Sequence, residues 1–332
     1  MGASEGALEL VCPAGTPAAL RAAIESGADA VYCGFRDETN ARNFPGLNFS
    51  RDELRQAIMF AHYRGAKVLV AINTFPRAGD TGPWLRAVDD AAAFNADAVI
   101  LADLGLLAYA AEKHPNLRLH LSVQAGAANA EAIAFYVEAF SVKRVVLPRV
   151  LSVPEIAKMT RAVPCETEVF VFGGLCVMEE GRCSLSSYAS GKSPNMHGVC
   201  SPASHVSYKE EGGSLVSRLG DFTINRVPSD QSVGYPTLCK GRFKTKFGAA
   251  HIFEDPVSLD ARVLLPALRD AGVKALKIEG RQRGRAYVSA VVKTFREAVD
   301  ALERGEAAPS GALTALTEGQ SATCGGYLKT WR

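Results

Sequence analysis

The sequence predicts an α/β fold, a closed (β/α)8 barrel of the TIM type, and three observations support this prediction. Short β-branched or apolar runs alternate with Ala-, Leu-, Glu- and Lys-rich segments of helical periodicity. Helix-like segments end in a small residue or glycine and the next strand follows at once, as in "SGADAVYCG" and "FNADAVILAD". The first strand is followed by "CPAGTPAA", which lacks the glycine pattern of a dinucleotide-binding Rossmann fold. Eight such units favour a barrel over an open sheet.

The elements of these units are predicted in chain order. The strands are expected near Leu8–Cys12, Ala30–Gly34, Lys67–Asn73, Ala98–Ala102, Arg118–Gln124, Arg144–Leu147, Glu168–Phe172 and Val273–Glu279. The helices are expected near Thr16–Ser26, Arg51–Arg64, Pro83–Asn95, Gly105–Lys113, Ala130–Phe140, Val153–Arg161, Leu259–Ala271 and Arg285–Glu303. The alternation is interrupted once, between the seventh and the eighth strand.

This interruption divides the chain into four parts. Residues 1–174 hold the first seven units, residues 175–258 form a cysteine-rich insertion between strands 7 and 8, residues 259–304 complete the barrel, and residues 305–332 form a tail. The connection after strand 7 leaves from the C-terminal mouth of a barrel, where active sites are built. We therefore expect the insertion to cover the mouth, and the tail to pack on the barrel or on a partner.

Composition bounds the class of protein. Hydrophobic residues make up 48% of the 332 residues, which is enough for a large buried core. The 37 basic and 35 acidic residues leave a net charge of +2, so total charge gives no reason to expect nucleic acid as a partner. No apolar run approaches the roughly 20 residues that cross a bilayer, and the N-terminus lacks the pattern of an export signal. We expect a soluble, cytoplasmic protein.

Polar side chains are predicted inside the barrel, because residues along a strand alternate between the lumen and the helices. In "LRLHLSVQ" the leucines face the helices, so His120, Ser122 and Gln124 face the lumen. Lys277 and Glu279 face it from the eighth strand, although they equally fit a structural ion pair, and His120 fits a hydrogen-bonded core histidine. The candidate substrate-binding residues at the mouth are Arg42, Asn73, Gln124, Lys277, Glu279 and Arg281.

Four of the eight cysteines fall in the insertion and are the candidate metal ligands. Cys176, Cys183, Cys200 and Cys239 are separated by six, sixteen and thirty-eight residues. Four thiolates suit a structural Zn²⁺ or an iron–sulfur cluster, and the spacing matches the common motif of neither. The surrounding glycines permit tight turns that aim N–H groups at sulfides, which favours a cluster. The other cysteines are not expected to be ligands: Cys12, Cys33, Cys165 and Cys324.

These motifs resemble those of a known family. The stretches "LVCPAGTPAALRAAIESGADAVYCG", "VAINTF", "HLSVQA", "VFVFGGLC" and "KIEGR" are similar to the collagenase-like family once classed as unassigned peptidases. The stretches "EGRC", "SPNMHGVCSPA", "GYPTLCKGR" and "GGYLKTW" resemble its ubiquinone-biosynthesis branch, the UbiU-like proteins, and the resemblance covers essentially the whole chain. It implies a [4Fe–4S] cluster on Cys176, Cys183, Cys200 and Cys239.

The resemblance also implies a reaction and partners. Proteins of this branch form a heterodimer with a homologous UbiV-like subunit and act with a UbiT-like lipid-binding accessory protein. Together they support hydroxylation of the prenylated ubiquinone ring without molecular oxygen, so the implied substrate is a prenylated quinone precursor. Many relatives carry His where this chain has Phe172, and the phenylalanine agrees with this branch. No nucleophile–base pair or catalytic zinc motif supports a peptidase.

Two other functions remain open at this stage. A hydroxylase of RNA bases is indicated by "CKGRFKTKFG", in which basic and aromatic residues alternate, although such a patch also fits a solvated loop. In a non-catalytic scaffold the metal would only stabilise the fold of the insertion. For a hydroxylase we also expect a small anionic oxygen donor to bind near Arg42 or Arg281.

Overall fold

Eight parallel strands close into a barrel in the computed structural model, which describes residues 8–176, 183–192, 194–231, 233–307 and 313–328. The strands are β1 (Glu9–Pro13), β2 (Ala30–Cys33), β3 (Lys67–Ile72), β4 (Ala98–Leu101), β5 (Leu119–Leu121), β6 (Arg144–Val146), β7 (Glu166–Gly174), β8 (Val206–Glu211), β9 (Ser214–Leu219), β10 (Phe222–Pro228), β11 (Arg242–Thr245), β12 (Gly248–His251), β13 (Ser258–Asp260), β14 (Ala275–Ile278) and β15 (Ala322–Thr323). The helices are α1 (Pro17–Glu25), α2 (Arg51–Tyr63), α3 (Gly82–Ala93), α4 (Leu104–Lys113), α5 (Ala130–Phe140), α6 (Val153–Ala162), α7 (Ser184–Ser190), α8 (Pro194–His197), α9 (Leu265–Asp270) and α10 (Arg285–Glu303).

The closing strand of the barrel is β14. Strands β1 to β7 are neighbours in chain order, and β14 pairs in parallel with both β7 and β1, which confirms the predicted barrel. Alternation along the strands separates two sets of buried apolar side chains. Val31, Val68 and Val99 belong to the large core between strands and helices. Tyr32 and Ile100 belong to a separate cluster inside the barrel.

Side-chain caps define the start of several barrel helices. Ser50 and Glu53 form a capping box at the start of α2, in which each side chain accepts a hydrogen bond from the other residue's backbone N–H. The side chains of Asp103 and Asn129 cap α4 and α5, and each accepts one hydrogen bond from a backbone N–H in the first turn of its helix. Among the helices that the structure describes, none combines the length and apolar character needed for a membrane span.

The segment between β7 and β14 is built mainly from small antiparallel units. Strands β8, β9 and β10 form a three-stranded sheet, and β11 and β12 form a hairpin. Strand β13 pairs antiparallel with β7 and parallel with β15, so the tail joins the edge of the barrel sheet. Tyr327 is buried and its hydroxyl donates to the carbonyl of Phe170. The tail therefore packs on the barrel. Residues 1–7, on which the expectation about export partly rests, and residues 329–332 lie outside the described residues.

The predicted helix at Leu259–Ala271 is wrong over its first half. Ser258 and Leu259 pair with Gly174 and Gly173 at the end of β7, and this pairing outweighs the helical periodicity of the segment. A helix begins only at Leu265, where a proline occupies its first turn, and the predicted domain boundary at residue 258 falls inside β13.

The predicted strand at Arg118–Gln124 is also too long. It ends at Leu121, because the Ser122 hydroxyl accepts a hydrogen bond from the backbone N–H of Gln124 at 3.3 Å. That bond starts a 3-10 turn over Val123–Ala125. Gln124 therefore reaches the mouth from a turn that follows β5.

An ion-pair network occupies the N-terminal end of the barrel lumen. Arg144 on β6 has a side chain that is only 3% exposed, and it pairs with Glu9 at 3.0 Å, Glu166 at 2.7 Å and Glu168 at 3.3 Å. Lys67 on β3 pairs with Glu9 at 3.0 Å. Burial acts to raise the pKa of Glu9, but the hydrogen bonds and charges of Arg144 and Lys67 lower it to about 2. The ionised carboxylate of Glu9 therefore stabilises the fold.

We predict that Glu9→Gln lowers the free energy of unfolding by about 2–3 kcal/mol at pH 7, because it leaves part of the buried Arg144 charge unpaired. Since the folded pKa of Glu9 is depressed, its contribution is present above pH 4.5 and is lost as pH falls towards 2. The difference between variant and wild type should therefore shrink over that pH range. Urea unfolding followed by circular dichroism at several pH values measures both effects.

The matched control is Glu25→Gln, since Glu25 is exposed and lies 3.9 Å from Arg64 in a surface pair. It should change the free energy of unfolding by less than about 1 kcal/mol. Equal stability of Glu9→Gln and wild type at pH 7 would contradict the role given to the lumen network.

Candidate functional site

A cavity of about 900 Å³ lies at the C-terminal mouth of the barrel. Residues near the strand ends form its floor, with Tyr32 on β2, Phe170 on β7 and Lys277 on β14. The segment after β7 and the tail form its other walls, through residues that include Tyr235 and Glu318. The predicted cover over the mouth is therefore made by two separate segments of the chain.

The structure brings the four predicted ligand cysteines to this one cavity. Cys176, Cys183, Cys200 and Cys239 all line it, and each is partly buried. Cys176 follows the end of β7, Cys183 caps α7, Cys200 follows α8, and Cys239 lies in a short 3-10 turn. By contrast, Cys12 and Cys33 are buried in barrel strands away from the cavity wall, as expected for packing residues.

Hydrogen-bond donors and neighbouring thiols surround these sulfurs. The backbone N–H and hydroxyl of Ser186 both donate to the Cys183 sulfur at 3.4 Å. Burial raises the pKa of the Cys239 thiol and the neighbouring Cys200 and Cys183 act in the same direction, whereas the Thr237 hydroxyl and Lys240 oppose the shift. A bound metal ion or cluster would supply further positive charge to stabilise the thiolate forms.

The arrangement of the thiols bears on which metal group fits. In the ranges that the structure describes, no three His, Cys, Asp or Glu side chains are arranged to hold a single metal ion. A tetrahedral Zn²⁺ site needs its four sulfurs about 2.3 Å from one point. In a [4Fe–4S] cluster each thiolate binds a different iron atom, so the four sulfurs surround a volume instead of a point. The donor set and its placement around a cavity fit such a cluster.

The predicted pair of Lys277 with Glu279 is not formed. Lys277 pairs with Glu168 at 2.6 Å and lies 4.0 Å from the centre of the Tyr32 ring. Glu279 lies 3.6 Å from Arg42. Residues two apart on a strand are separated by roughly 7 Å, so each side chain finds a closer partner on a neighbouring segment.

Arg281 is a structural residue of the mouth. It is buried, and its two terminal nitrogens donate to Asn40 Oδ1 at 2.9 Å and to the carbonyl of Ala41. The backbone N–H of Arg42 then donates to the carbonyl of Gly198 at 2.8 Å. Burial lowers the pKa of Arg281 to about 10, so it is charged at neutral pH. These contacts hold the 40–42 loop against the segment that carries Cys200, and they do not support anion binding as its main role.

Asn73, Ser122 and Gln124 lie together on the cavity wall. Asn73 Oδ1 accepts a hydrogen bond from the backbone N–H of Ala41 at 2.9 Å, and its amide nitrogen lies 3.5 Å from the Ser122 hydroxyl. His120 is buried deeper in the lumen, where Arg118 donates to its Nε2 at 3.1 Å. Burial, together with the surrounding cations, keeps the pKa of His120 well below its usual value. The core-histidine interpretation fits this residue.

The sequence analysis did not identify several of the residues that line the cavity. The Arg149 guanidinium lies 3.6 Å from the centre of the Phe170 ring, and both line the cavity with Tyr32. Strand alternation, applied to β2 and β7, would have placed Tyr32 and Phe170 in the lumen. No local signal marks Arg149 or Glu318, because they reach the cavity from a loop and from the tail.

Phe172 is not among the residues that line the cavity. Its ring packs at 5.7 Å from Phe295 and 6.3 Å from Tyr287, in the layer between barrel and α10. It therefore contributes packing and does not contact a ligand in the mouth.

Some residues of the basic and aromatic segment "CKGRFKTKFG" pack inside the protein and others lie on its surface. Lys240 is buried and paired with Glu318. Phe243 packs on Phe253, with ring centres 5.3 Å apart. The exposed basic and aromatic residues of the β11–β12 hairpin are Arg242, Lys244, Lys246 and Phe247. Only part of the patch is therefore available to a ligand.

Comparison with known proteins finds similar sequences whose names describe different activities. "tRNA hydroxylation protein P" of Escherichia coli (strain K12) is 32% identical over 327 residues, which cover 93% of this chain and 71% of that protein. "23S rRNA 5-hydroxycytidine C2501 synthase" of the same strain is 31% identical over 315 residues, covering 93% of this chain and 42% of that protein. "Collagenase" of Porphyromonas gingivalis (strain ATCC BAA-308 / W83) is 28% identical over 308 residues, covering 90% and 66%.

A family model also matches almost the full length of the barrel and its mouth. The model of "Peptidase family U32" matches residues 15–325, which include the four cavity cysteines and the closing strand β14. The resemblance to the collagenase-like family is thereby confirmed. The chain belongs to peptidase family U32.

Proposed function

We propose that this chain carries a [4Fe–4S] cluster and takes part in oxygen-independent hydroxylation of a planar ring held at the barrel mouth. One observation carries the proposal, namely that the four insertion cysteines line the same 900 Å³ cavity as the polar strand ends. A cluster and a ring would then share one chamber. The names of the RNA-hydroxylating relatives support hydroxylation as the reaction.

The residues of the chain have distinct roles in this proposal. A cluster bound to four thiolates would supply one-electron transfer. Replacing a ring C–H by C–OH removes two electrons from the ring, and a small oxygen donor bound beside the ring would supply the oxygen atom and be reduced by those two electrons. Ser186 donates two hydrogen bonds to Cys183 and thereby stabilises its negative charge. The insertion and the tail cover the mouth, and so exclude water from the ring. Arg281 orients the 40–42 loop against the segment of Cys200.

An RNA base is the substrate that the named relatives support. Two of them carry names of tRNA or rRNA hydroxylation, and they favour an RNA base over the ubiquinone ring. The exposed basic and aromatic residues of the β11–β12 hairpin are of the types that contact phosphates and stack on bases: Arg242, Lys244, Lys246 and Phe247.

The ring of a prenylated ubiquinone precursor is the second candidate, and two features of this chain favour it. The cysteine-flanking motifs resemble the ubiquinone-biosynthesis branch, and the RNA patch is weakened because Lys240 is neutralised by Glu318. The UbiV-like subunit and the UbiT-like lipid-binding protein implied by the resemblance would then deliver the lipid to the cavity.

We predict that protein purified without oxygen is brown and holds about four iron and four sulfide per chain. Changing Cys183 or Cys239 to Ala should remove most of the iron and the colour, because each supplies one of the four thiolates. Iron and sulfide assays with absorption spectra measure this.

The controls are Cys324→Ala and Cys165→Ala, which remove thiols that do not line the cavity and should leave iron content unchanged. Colourless wild-type protein with one zinc per chain would contradict the cluster. Equal iron in Cys239→Ala and wild type would contradict the ligand assignment.

We predict that deletion of the gene removes one hydroxylated product, and only in cells grown without oxygen. An RNA substrate predicts at least a tenfold loss of a hydroxylated nucleoside with quinone unchanged. A quinone substrate predicts the reverse, with an unhydroxylated prenylated precursor accumulating. Mass spectrometry of nucleosides and quinones from the same cultures distinguishes them.

Complementation with the Cys324→Ala gene should restore the product, and complementation with Cys239→Ala should not. If deletion leaves both nucleosides and quinones unchanged in the absence of oxygen, the proposed function is wrong.

A further inference from the structure

The side chain of Gln124 has an unused hydrogen-bond acceptor at the cavity wall. The residue lines the cavity and is only 7% exposed. Its side-chain carbonyl oxygen is buried and accepts no hydrogen bond from the described residues. Because nearly all buried polar atoms in folded proteins are hydrogen-bonded, this oxygen needs a partner that enters the cavity.

The neighbours of Gln124 hold it in place. Its backbone N–H donates to the Ser122 hydroxyl at 3.3 Å, and the Asn73 amide nitrogen lies 3.5 Å from the same hydroxyl. Asn73 is fixed in turn by the backbone N–H of Ala41 at 2.9 Å. The Asn73 and Ser122 side chains and the Gln124 backbone therefore form one connected group at the ends of β3 and β5. A group supported in this way is pre-organised for a ligand.

The rest of the wall limits what that ligand is. Ile100, Val146 and Phe170 give the cavity apolar surface close to these strand ends. The lumen cation Lys277 is already paired with Glu168. A neutral carbonyl oxygen beside apolar surface suits an uncharged planar group with an O–H or N–H on its edge.

We propose that Gln124, supported by Ser122 and Asn73, recognises a hydrogen-bond donor on the edge of the ring substrate. This inference rests on the proposed function, which supplies a ring in the cavity. The donor is either the phenolic O–H of a quinone precursor or the ring N–H of a pyrimidine base. In both cases Gln124 contacts the substrate and determines its specificity.

Binding of paired probes to the cluster-loaded protein, with any partner that co-purifies, tests this inference. One pair is a short-chain prenylated phenol and its methyl ether, and the other is uridine and N3-methyluridine. Within one pair, wild type should bind the donor-bearing probe about tenfold more tightly, as expected for one buried hydrogen bond. Gln124→Leu should reduce this preference to about onefold, whereas Gln124→Glu, which keeps an acceptor, should retain it. The pair that shows the preference identifies the source of the donor.

The matched control is Gln282→Leu, which makes the same change at an exposed residue of the cavity wall and should keep the preference. Iron content and circular dichroism equal to wild type show that each variant is folded, and Gln124→Met replaces Gln124→Leu if the latter is not. If a folded Gln124→Leu or Gln124→Met protein still prefers the donor-bearing probe about tenfold, the role given to Gln124 is wrong, but the proposed function is unaffected. If wild type binds neither pair, the ring site of the proposed function is overturned as well.

Discussion

The whole site depends on how β14 closes the barrel between β7 and β1. Inside that closure, the ammonium of Lys277 on β14 lies 2.6 Å from the carboxylate of Glu168 on β7, and both side chains are buried. Removing one partner of such a pair would leave an uncompensated charge in the lumen, which is strongly destabilising. The pair therefore ties the last strand to the one from which the insertion departs. It also sets the floor of the mouth cavity.

A chain of short contacts then connects the barrel to the segment that carries the thiols. It runs from Arg281 beyond β14, through the 40–42 loop, to Gly198. Gly198 has a φ of +75°, and a Cβ atom there would lie 2.8 Å from the Cα of Ala41, so only glycine permits this approach. Cys200 follows two residues later. The position of one cavity thiol is thus determined by barrel residues, and the insertion is part of the site's architecture.

The barrel could be predicted from the sequence because each of its elements carries a local signal. The Gly-terminated helices and β-branched strands gave the eight units, and alternation placed His120, Lys277 and Glu279 on the lumen side. Partners could not be predicted, because the contact of Lys277 with Glu168 joins residues far apart in the chain. The strand β13 was missed for the same reason, since its pairing with β7 is set by tertiary structure. The gathering of the four cysteines was expected from the position of their segment above the mouth, from the metal-binding chemistry of thiols and from the family resemblance.

The central claim is that iron lies inside this mouth cavity, bound to four thiolates from the insertion. Anomalous X-ray diffraction at the iron edge, from crystals grown without oxygen, tests it most directly. The account predicts one four-iron peak bounded by the sulfurs of Cys176, Cys183, Cys200 and Cys239, in the same chamber as Gln124. An anomalous signal at the zinc edge alone, or iron bound elsewhere with these sulfurs unligated, would contradict it.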